Sequence, residues 1–227
     1  NNILANNTFG NDTQKVKIFS GSNSFYVNDL SSVIYNQTTG VGYNSVQEAL
    51  NNAQPGEVVL VSGAINDDAC TEELNIPQGV ILDGSNKPVF TGKLHAAQGA
   101  TIRNLASKWA GNPGNTNPND RQAIEVQGTG VTLQNINFTY TGTLRGEAIV
   151  NYVGAKNLTV ENCQFNSYWK GLYLNTSEGV VIKGCTFNNM NPFSTDEWNA
   201  TLNFAGNTIT GNIPTFNAAH CIVVAGT

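Results

Sequence analysis

At 227 residues with 40% apolar content the chain can furnish a packed core, and sixteen acidic against eleven basic side chains leave a net charge of −5. Only 12% of residues are charged, about half the usual ~25%, and 34 asparagines supply the polarity instead. The absence of any basic cluster argues against a nucleic-acid partner, and apolar runs of no more than six residues cannot span a bilayer.

The chain opens on NNILANNTF (1–9), an apolar pair followed by amides and Phe9, and reads as a strand segment. SSVIYNQTTGVG (31–42) reads as a linker, so that residues 1–42 form an N-terminal segment and residues 43–227 the main domain. SVQEALNNA (45–53) is a short amphipathic helix: Ser45 can cap it, Glu48 completes a capping box, and Val46, Ala49, Leu50 and Ala53 make one apolar stripe. Short β-branched runs then follow: EVVLV (57–61), GVILDG (79–84), VTLQNINF (131–138), LTVENCQF (158–165) and VVIKGCTF (180–187). Between the first two, NDDACTEE (66–73) places Asp67, Asp68, Glu72 and Glu73 together. Their oxygens suit Ca²⁺, the one cofactor the sequence suggests, and a solvated loop is the competing reading. Tight hairpins favour Asn-Gly or Asp-Gly turns, yet Asn-Gly is missing and Asp-Gly occurs once, at 83–84, which points to parallel strands.

Stacking these runs puts Leu82, Ile102, Leu133, Val160, Ile182 and Ile209 in one column at intervals of 20 to 31 residues. Two positions later the column reads Gly84, Asn104, Asn135, Asn162, Gly184 and Gly211, the residues expected where each turn needs a left-handed backbone. Next come Ser85, Leu105, Ile136, Cys163, Cys185 and Asn212, and then Phe138, Phe165 and Phe187 as a ladder. A second strand per coil carries Ile124/Val126, Val150/Tyr152, Leu172/Leu174, Leu202/Phe204 and Ile222/Val224 as inward pairs. These columns resemble the right-handed parallel β-helix of the pectate-lyase-like superfamily, whose internal asparagine ladder would correspond to Asn104, Asn135 and Asn162. The resemblance covers roughly residues 43–227 and implies an all-β solenoid with the helix at 45–53 as its N-terminal cap.

Enzymes of that superfamily need a carboxylate cluster with an Arg or Lys base, or several Asp residues near a His. The chain has three Arg and two His, and its outward strand positions carry Asp83, Glu125 and Glu161 in no common cluster, so no catalytic residue is assigned. The longest insertions leave the coil at one corner, at 108–121, 139–147, 166–170 and 188–200. They bring Trp109, Tyr140, Tyr168, Trp169 and Trp198 to one side with Arg121, Arg145 and Lys170, a candidate glycan-contact face. The competing reading is that the rings pack the loops against the coil. Cys163 and Cys185 share a column one coil apart, about a strand spacing of ~4.8 Å, which permits a disulfide or a stack of free thiols.

NNILANNTF repeats the columns, with Leu4 matching Val160 and Ile182, Asn6 matching Asn162, and Phe9 matching Phe165. Counted on from Thr227, Leu4 falls 22 residues after Ile209. The expectation is therefore a head-to-tail homopolymer in which residues 1–27 complete another copy's open coil. Ile3, Leu4, Asn6 and Phe9 would meet Ile209, Ile222 and Val224 across the junction. An excised array fragment and a segment folded back onto its own end are the alternatives. The expected function is a non-catalytic extracellular or cell-surface module, a filament, adhesin or surface-layer unit with glycan contact through the aromatic loop face; the rival is a polysaccharide lyase or glycoside hydrolase, or a fragment of one.

Overall fold

The computed structural model describes residues 34–62, 71–85, 87–111, 122–143 and 146–190. It also gives the backbone of the strands Asn2–Leu4, Phe25–Val27, Leu202–Phe204, Asn207–Thr210 and Ile222–Val224. The main body is an all-β parallel solenoid of about five turns, built from three sheets that the chain visits once per coil. The first sheet stacks Val58–Val61, Ile81–Asp83, Thr101–Arg103, Thr132–Gln134, Thr159–Glu161 and Val181–Lys183. The second stacks Val89–Phe90, Ala106–Trp109, Asn137–Tyr140, Gln164–Asn166 and Thr186–Asn188. The third stacks Leu74–Ile76, Leu94–Ala96, Gln122–Val126, Glu147–Asn151, Lys170–Leu174 and Ile222–Val224.

Register within the sheets follows the apolar columns, because a one-residue slip would turn every inward side chain to solvent. Leu82, Ile102, Leu133, Val160 and Ile182 lie opposite one another in sequence. Phe138, Phe165 and Phe187 stack nearly parallel, with ring centroids 4.9 and 4.7 Å apart. Between the first and second sheets each coil turns through one left-handed residue: φ is 59° at Asn104, 55° at Asn135, 54° at Asn162 and 63° at Gly184. The backbone N–H of each donates to a carbonyl of the next coil where one follows, as from Asn104 to Gln134 O at 3.1 Å and from Asn135 to Glu161 O at 3.0 Å. Side chains add a second thread, Asn135 Nδ2 donating to Asn104 Oδ1 (3.1 Å) and Asn104 Nδ2 to Asp83 Oδ1 (2.8 Å). Gly184 has no room for a side chain, since a Cβ there would lie 2.3 Å from Asn162 Oδ1.

The helix Val46–Asn52 caps the first coil. Ser45 accepts from Glu48 N, and Glu48 Oε2 accepts from Asn44 N, a reciprocal capping pair displaced by one residue from the usual box. Val46, Ala49, Leu50 and Ala53 are all buried.

Five expectations are corrected. Ile209 lies opposite Phe187, in the second sheet, and so continues the phenylalanine column instead of following Ile182. An aliphatic residue suits either inward column, so its type could not separate them, and the step from Ile209 to Leu4 does not join equivalent positions. Leu202–Phe204 pairs antiparallel with Asn207–Thr210, and Ile222–Val224 lies directly beside Lys170–Leu174 in the third sheet. In the strand Glu147–Asn151 the inward pair is Ile149 and Asn151, not Val150 and Tyr152, because a wholly buried Asn151 takes a position that hydrophobicity alone would give to an apolar residue. Asn151 Nδ2 is satisfied by Thr176 O at 2.8 Å and Ala155 O at 3.2 Å. Gly84 is not left-handed; that conformation falls to Lys87 (φ 52°) in a longer turn, and Gly84 is needed for space against Asn104 O and Pro88. Finally, part of the segment read as a linker is ordered sheet, Ile34–Asn36 pairing antiparallel with both Val41–Gly42 and Val58–Val61.

Candidate functional site

The third sheet carries the concentration of polar side chains that its sequence disguises. With Leu94, Ala96, Ile124 and Val126 directed inward, the alternation of the strand sets His95 and Glu125 on the outer face as cross-strand partners, beside Asn75. Lys93, one residue before the inward Leu94, reaches Glu125 Oε1 at 3.1 Å. His95 Nδ1 lies 2.8 Å from Glu125 Oε2, and its Nε2 lies 2.6 Å from Glu73 Oε1. Tyr152 donates its hydroxyl to Glu125 Oε2 at 2.7 Å, and Gln122 Nε2 donates to Glu125 Oε1. Lys93 and Glu125 are 4% and 6% exposed.

Burial alone would raise the Glu125 carboxyl, but the hydrogen bonds from His95, Tyr152 and Lys93, with the Lys93 charge, outweigh it and hold the group well below the usual carboxylate range. His95 is raised by its hydrogen bond to Glu125, against the opposing effect of burial, with Glu73 adding to the rise. Glu125 is thus a carboxylate saturated with donors, and His95 sits between two carboxylates that favour its protonated form. Such groups fix geometry well and accept protons poorly.

Beside this network the coil register aligns Gln122, Glu147 and Lys170 in one row. Lys170 Nζ lies 3.1 Å from Glu147 Oε1, 3.8 Å from the centre of the Trp169 ring and 4.2 Å from that of Tyr173. These residues, with Val150, Tyr152 and Asn175, line a cleft of about 380 Å³. A second cleft of about 540 Å³ opens near Glu73, Lys93 and Lys108.

Residues 68–227 match the model of a family described as the right-handed β-helix region. The chain belongs to the right-handed β-helix family. No curated protein and no solved structure matches it. Membership establishes the architecture, and the chemistry of this β-helix has to be argued from its own side chains.

The site residues expected from sequence divide into three groups. Trp169 and Lys170 lie in the cleft. Trp109, Tyr140 and Tyr168 are buried in the apolar core, where Tyr168 packs against Tyr140 and edge-on to Phe138, and Trp109 also lines the second cleft, near Glu73, Lys93 and Lys108. Long insertions need anchors, and Trp109, Tyr140 and Tyr168 supply them for the insertions at 108–121, 139–147 and 166–170. Trp198, Arg121 and Arg145 lie outside the described residues, as do Asn6, Phe9, Asp67 and Asp68, while Ile3, Leu4, Ile209, Ile222 and Val224 are described in backbone only. Glu73 is engaged by His95 and Glu72 lies nearby in sequence; among the described residues no group of acidic, His or Cys side chains is arranged to hold a metal. Cys163 and Cys185 are buried free thiols, so the disulfide is not formed; Cys163 Sγ points to Glu161 O (3.4 Å) and Cys185 Sγ to Lys183 O (3.5 Å). The hydrogen bond that Cys163 donates to Cys185, with burial, pushes the Cys163 thiol up.

Sequence reasoning put Glu125 at an outward position but gave it no partners, read Tyr152 as inward, and missed Lys93, His95, Gln122, Glu147 and Tyr173. A signal for part of the set was present: once the third sheet is registered on Leu94 and Ile124, His95 and Glu125 fall in one column. The one-residue error at Val150/Tyr152 concealed the rest.

Proposed function

We propose that this β-helix is an extracellular or cell-surface module that holds polysaccharide in the cleft on its third sheet, as a binding and not a catalytic surface. One observation carries the reading. Tyr152 is 41% exposed although its hydroxyl is anchored to the buried Glu125, so an aromatic platform stands fixed next to the Glu147–Lys170 ion pair. Sugars meet proteins through this combination, an apolar ring face against an aromatic side chain and hydroxyls against paired polar groups. Binding is favoured over turnover because Glu125 and His95 are committed to one another and to Lys93 and Glu73. The test is affinity electrophoresis against neutral and acidic polysaccharides, run with an assay for new reducing or unsaturated ends in the presence of Ca²⁺. Retardation without new ends, lost in Tyr152→Ala and kept in Tyr152→Phe, is expected. Steady release of ends would replace this reading with that of a lyase or hydrolase.

A second observation favours assembly. Asn2–Leu4 and Phe25–Val27 pair in parallel with Asn2 opposite Phe25, a step of 23 residues, within the 20 to 31 spanned by internal coils such as Leu82 to Ile102 and Ile102 to Leu133. That spacing supports the reading that residues 1–27 supply one coil to the end of another copy in a head-to-tail polymer. Sedimentation of the chain with and without residues 1–27 tests this: polymers that survive the deletion would eliminate the mechanism.

A further inference from the structure

We propose that Cys163 and Cys185 are an oxidisable pair, which a disulfide donor converts from two thiols into a covalent tie between successive coils. The register sets them opposite one another. Glu161 pairs with Lys183 and Gln164 with Thr186, and between these positions Asn162 N donates to Lys183 O at 3.0 Å and Thr186 N to Cys163 O at 2.9 Å. The backbones are therefore one strand spacing apart, ~4.8 Å, inside the range of roughly 4.4–6.8 Å that a disulfide spans between Cα atoms. Both side chains are directed into the core, 0% and 1% exposed, and each sulfur approaches the carbonyl two residues before it. The sulfurs are thus held alike and meet, Cys163 donating to Cys185. Space filling alone would favour the aliphatic residues that the two preceding coils put at this position, Leu105 and Ile136, both buried. Instead a thiol stands there in two consecutive coils.

The two thiols differ in a way that orders the reaction. The hydrogen bond from Cys163 lowers the Cys185 thiol against the opposing effect of burial, while Cys163, the donor and wholly buried, is pushed up. Cys185 is therefore the first nucleophile. Its thiolate, having given its proton to water, attacks one sulfur of the donor R–S–S–R; a Cys185–S–S–R bond forms, the S–S bond of the donor breaks and RS⁻ leaves. Cys163 then gives up its proton and attacks the Cys185 sulfur, so that the bond between coils closes and a second RS⁻ leaves. The two leaving thiolates take up the two protons: two cysteine thiols are oxidised, and one disulfide is reduced to two R–SH. Burial makes both directions wait on local opening of these coils, so the tie once formed also resists reductants. It closes residues 163–185, one whole coil, into a ring and restricts the unfolded chain.

The experiment uses the intact protein, reduced, freed of reductant and incubated with oxidised and reduced glutathione in graded ratios, then alkylated under denaturing conditions. Trypsin with a glutamate-specific protease cuts at Glu72, Lys170, Lys183 and Glu197 and puts Cys70, Cys163, Cys185 and Cys221 on separate peptides. A pair of peptides joined through Cys163 and Cys185, lighter by two hydrogens and separated by dithiothreitol, is expected as the glutathione becomes more oxidised. The melting temperature of the oxidised protein should rise by about 5 °C or more, and Cys163→Ala and Cys185→Ala should each abolish the rise. The peptide map is taken on the unsubstituted chain, so it stands even where a variant fails to fold. Alkylation of both Cys163 and Cys185 at every ratio overturns the proposal, as does a bridge from either of them to Cys70 or Cys221. A Cys163–Cys185 bridge that leaves the melting temperature unchanged overturns its role as a tie between coils.

Discussion

Lys93 Nζ lies 3.1 Å from Glu125 Oε1 inside a nearly solvent-free layer over the third sheet, each side chain supplying the charge that makes the other tolerable there. Replacing Glu125 by Gln leaves Lys93 as a buried cation without its counter-charge, and removing one partner of such a pair costs about 3–5 kcal/mol. The denaturation midpoint of Glu125→Gln should fall accordingly, and the double variant Lys93→Met, Glu125→Gln should recover part of the loss. A midpoint within error of the parent protein would mean that the pair is open to solvent.

The same network predicts the pH dependence of stability. His95 is raised above its ordinary 6.5, so its contribution is full below that value and disappears as pH climbs through the raised one. Glu125 is held below its ordinary 4.5, so its contribution is full above that value and disappears as pH falls through the lowered one. Both are complete between pH 4.5 and 6.5, where the contribution of the network to the melting temperature should be greatest. His95→Gln should flatten the alkaline decline; an unchanged slope above pH 6.5 in that variant would show that another group causes it.

Asn135 serves the turn twice, through its left-handed backbone and through its hydrogen bond to Asn104. Asn135→Leu should lose both, at about 1–3 kcal/mol each. Asn135→Gly keeps the backbone conformation and gives up only the side-chain bond, so it should be the milder variant. Equal melting temperatures for the two would indicate that the backbone conformation contributes nothing.

Phe165 is wholly buried and stacked on both sides, by Phe138 and Phe187. Phe165→Ala should destabilise by about 3–5 kcal/mol through lost burial and the cavity left between the flanking rings. Differential scanning calorimetry would register this as a drop of several degrees, and a smaller cost would mean that the two neighbours close the gap.

The architecture was legible in the sequence because a parallel coil writes each inward position as a repeated residue type. Leu82 through Ile182 and the three stacked phenylalanines sit where their columns put them. Legibility failed where type and position separate. Asn151 is polar yet buried, and Ile209 is apolar and acceptable in either of two inward columns. A further amide stack, Asn188 to Asn166 at 3.0 Å and Asn166 to Asn137 at 2.9 Å, also went unread, because these asparagines alternate with the phenylalanines and look like ordinary solvent-facing strand residues. The site was harder still. Lys93, His95 and Glu125 are joined across 32 residues of chain, a distance that only the coil period shortens. Conversely, Trp109, Tyr140 and Tyr168 were conspicuous by type and turned out to be anchors.

The equivalence of successive coils has a consequence for how such a chain changes length. Thr132 and Thr159 occupy the same register position, so excising the 27 residues from Thr132 to Leu158 would join two strands that already face identical neighbours. The altered chain would meet the same inward leucine or valine, the same left-handed asparagine and the same phenylalanine one rung sooner. The molecule can therefore lengthen or shorten by whole coils, while a gain or loss of a single residue within a strand turns the rest of that strand to the wrong face. Heredity acting on this fold is quantised, with the coil as its unit of currency.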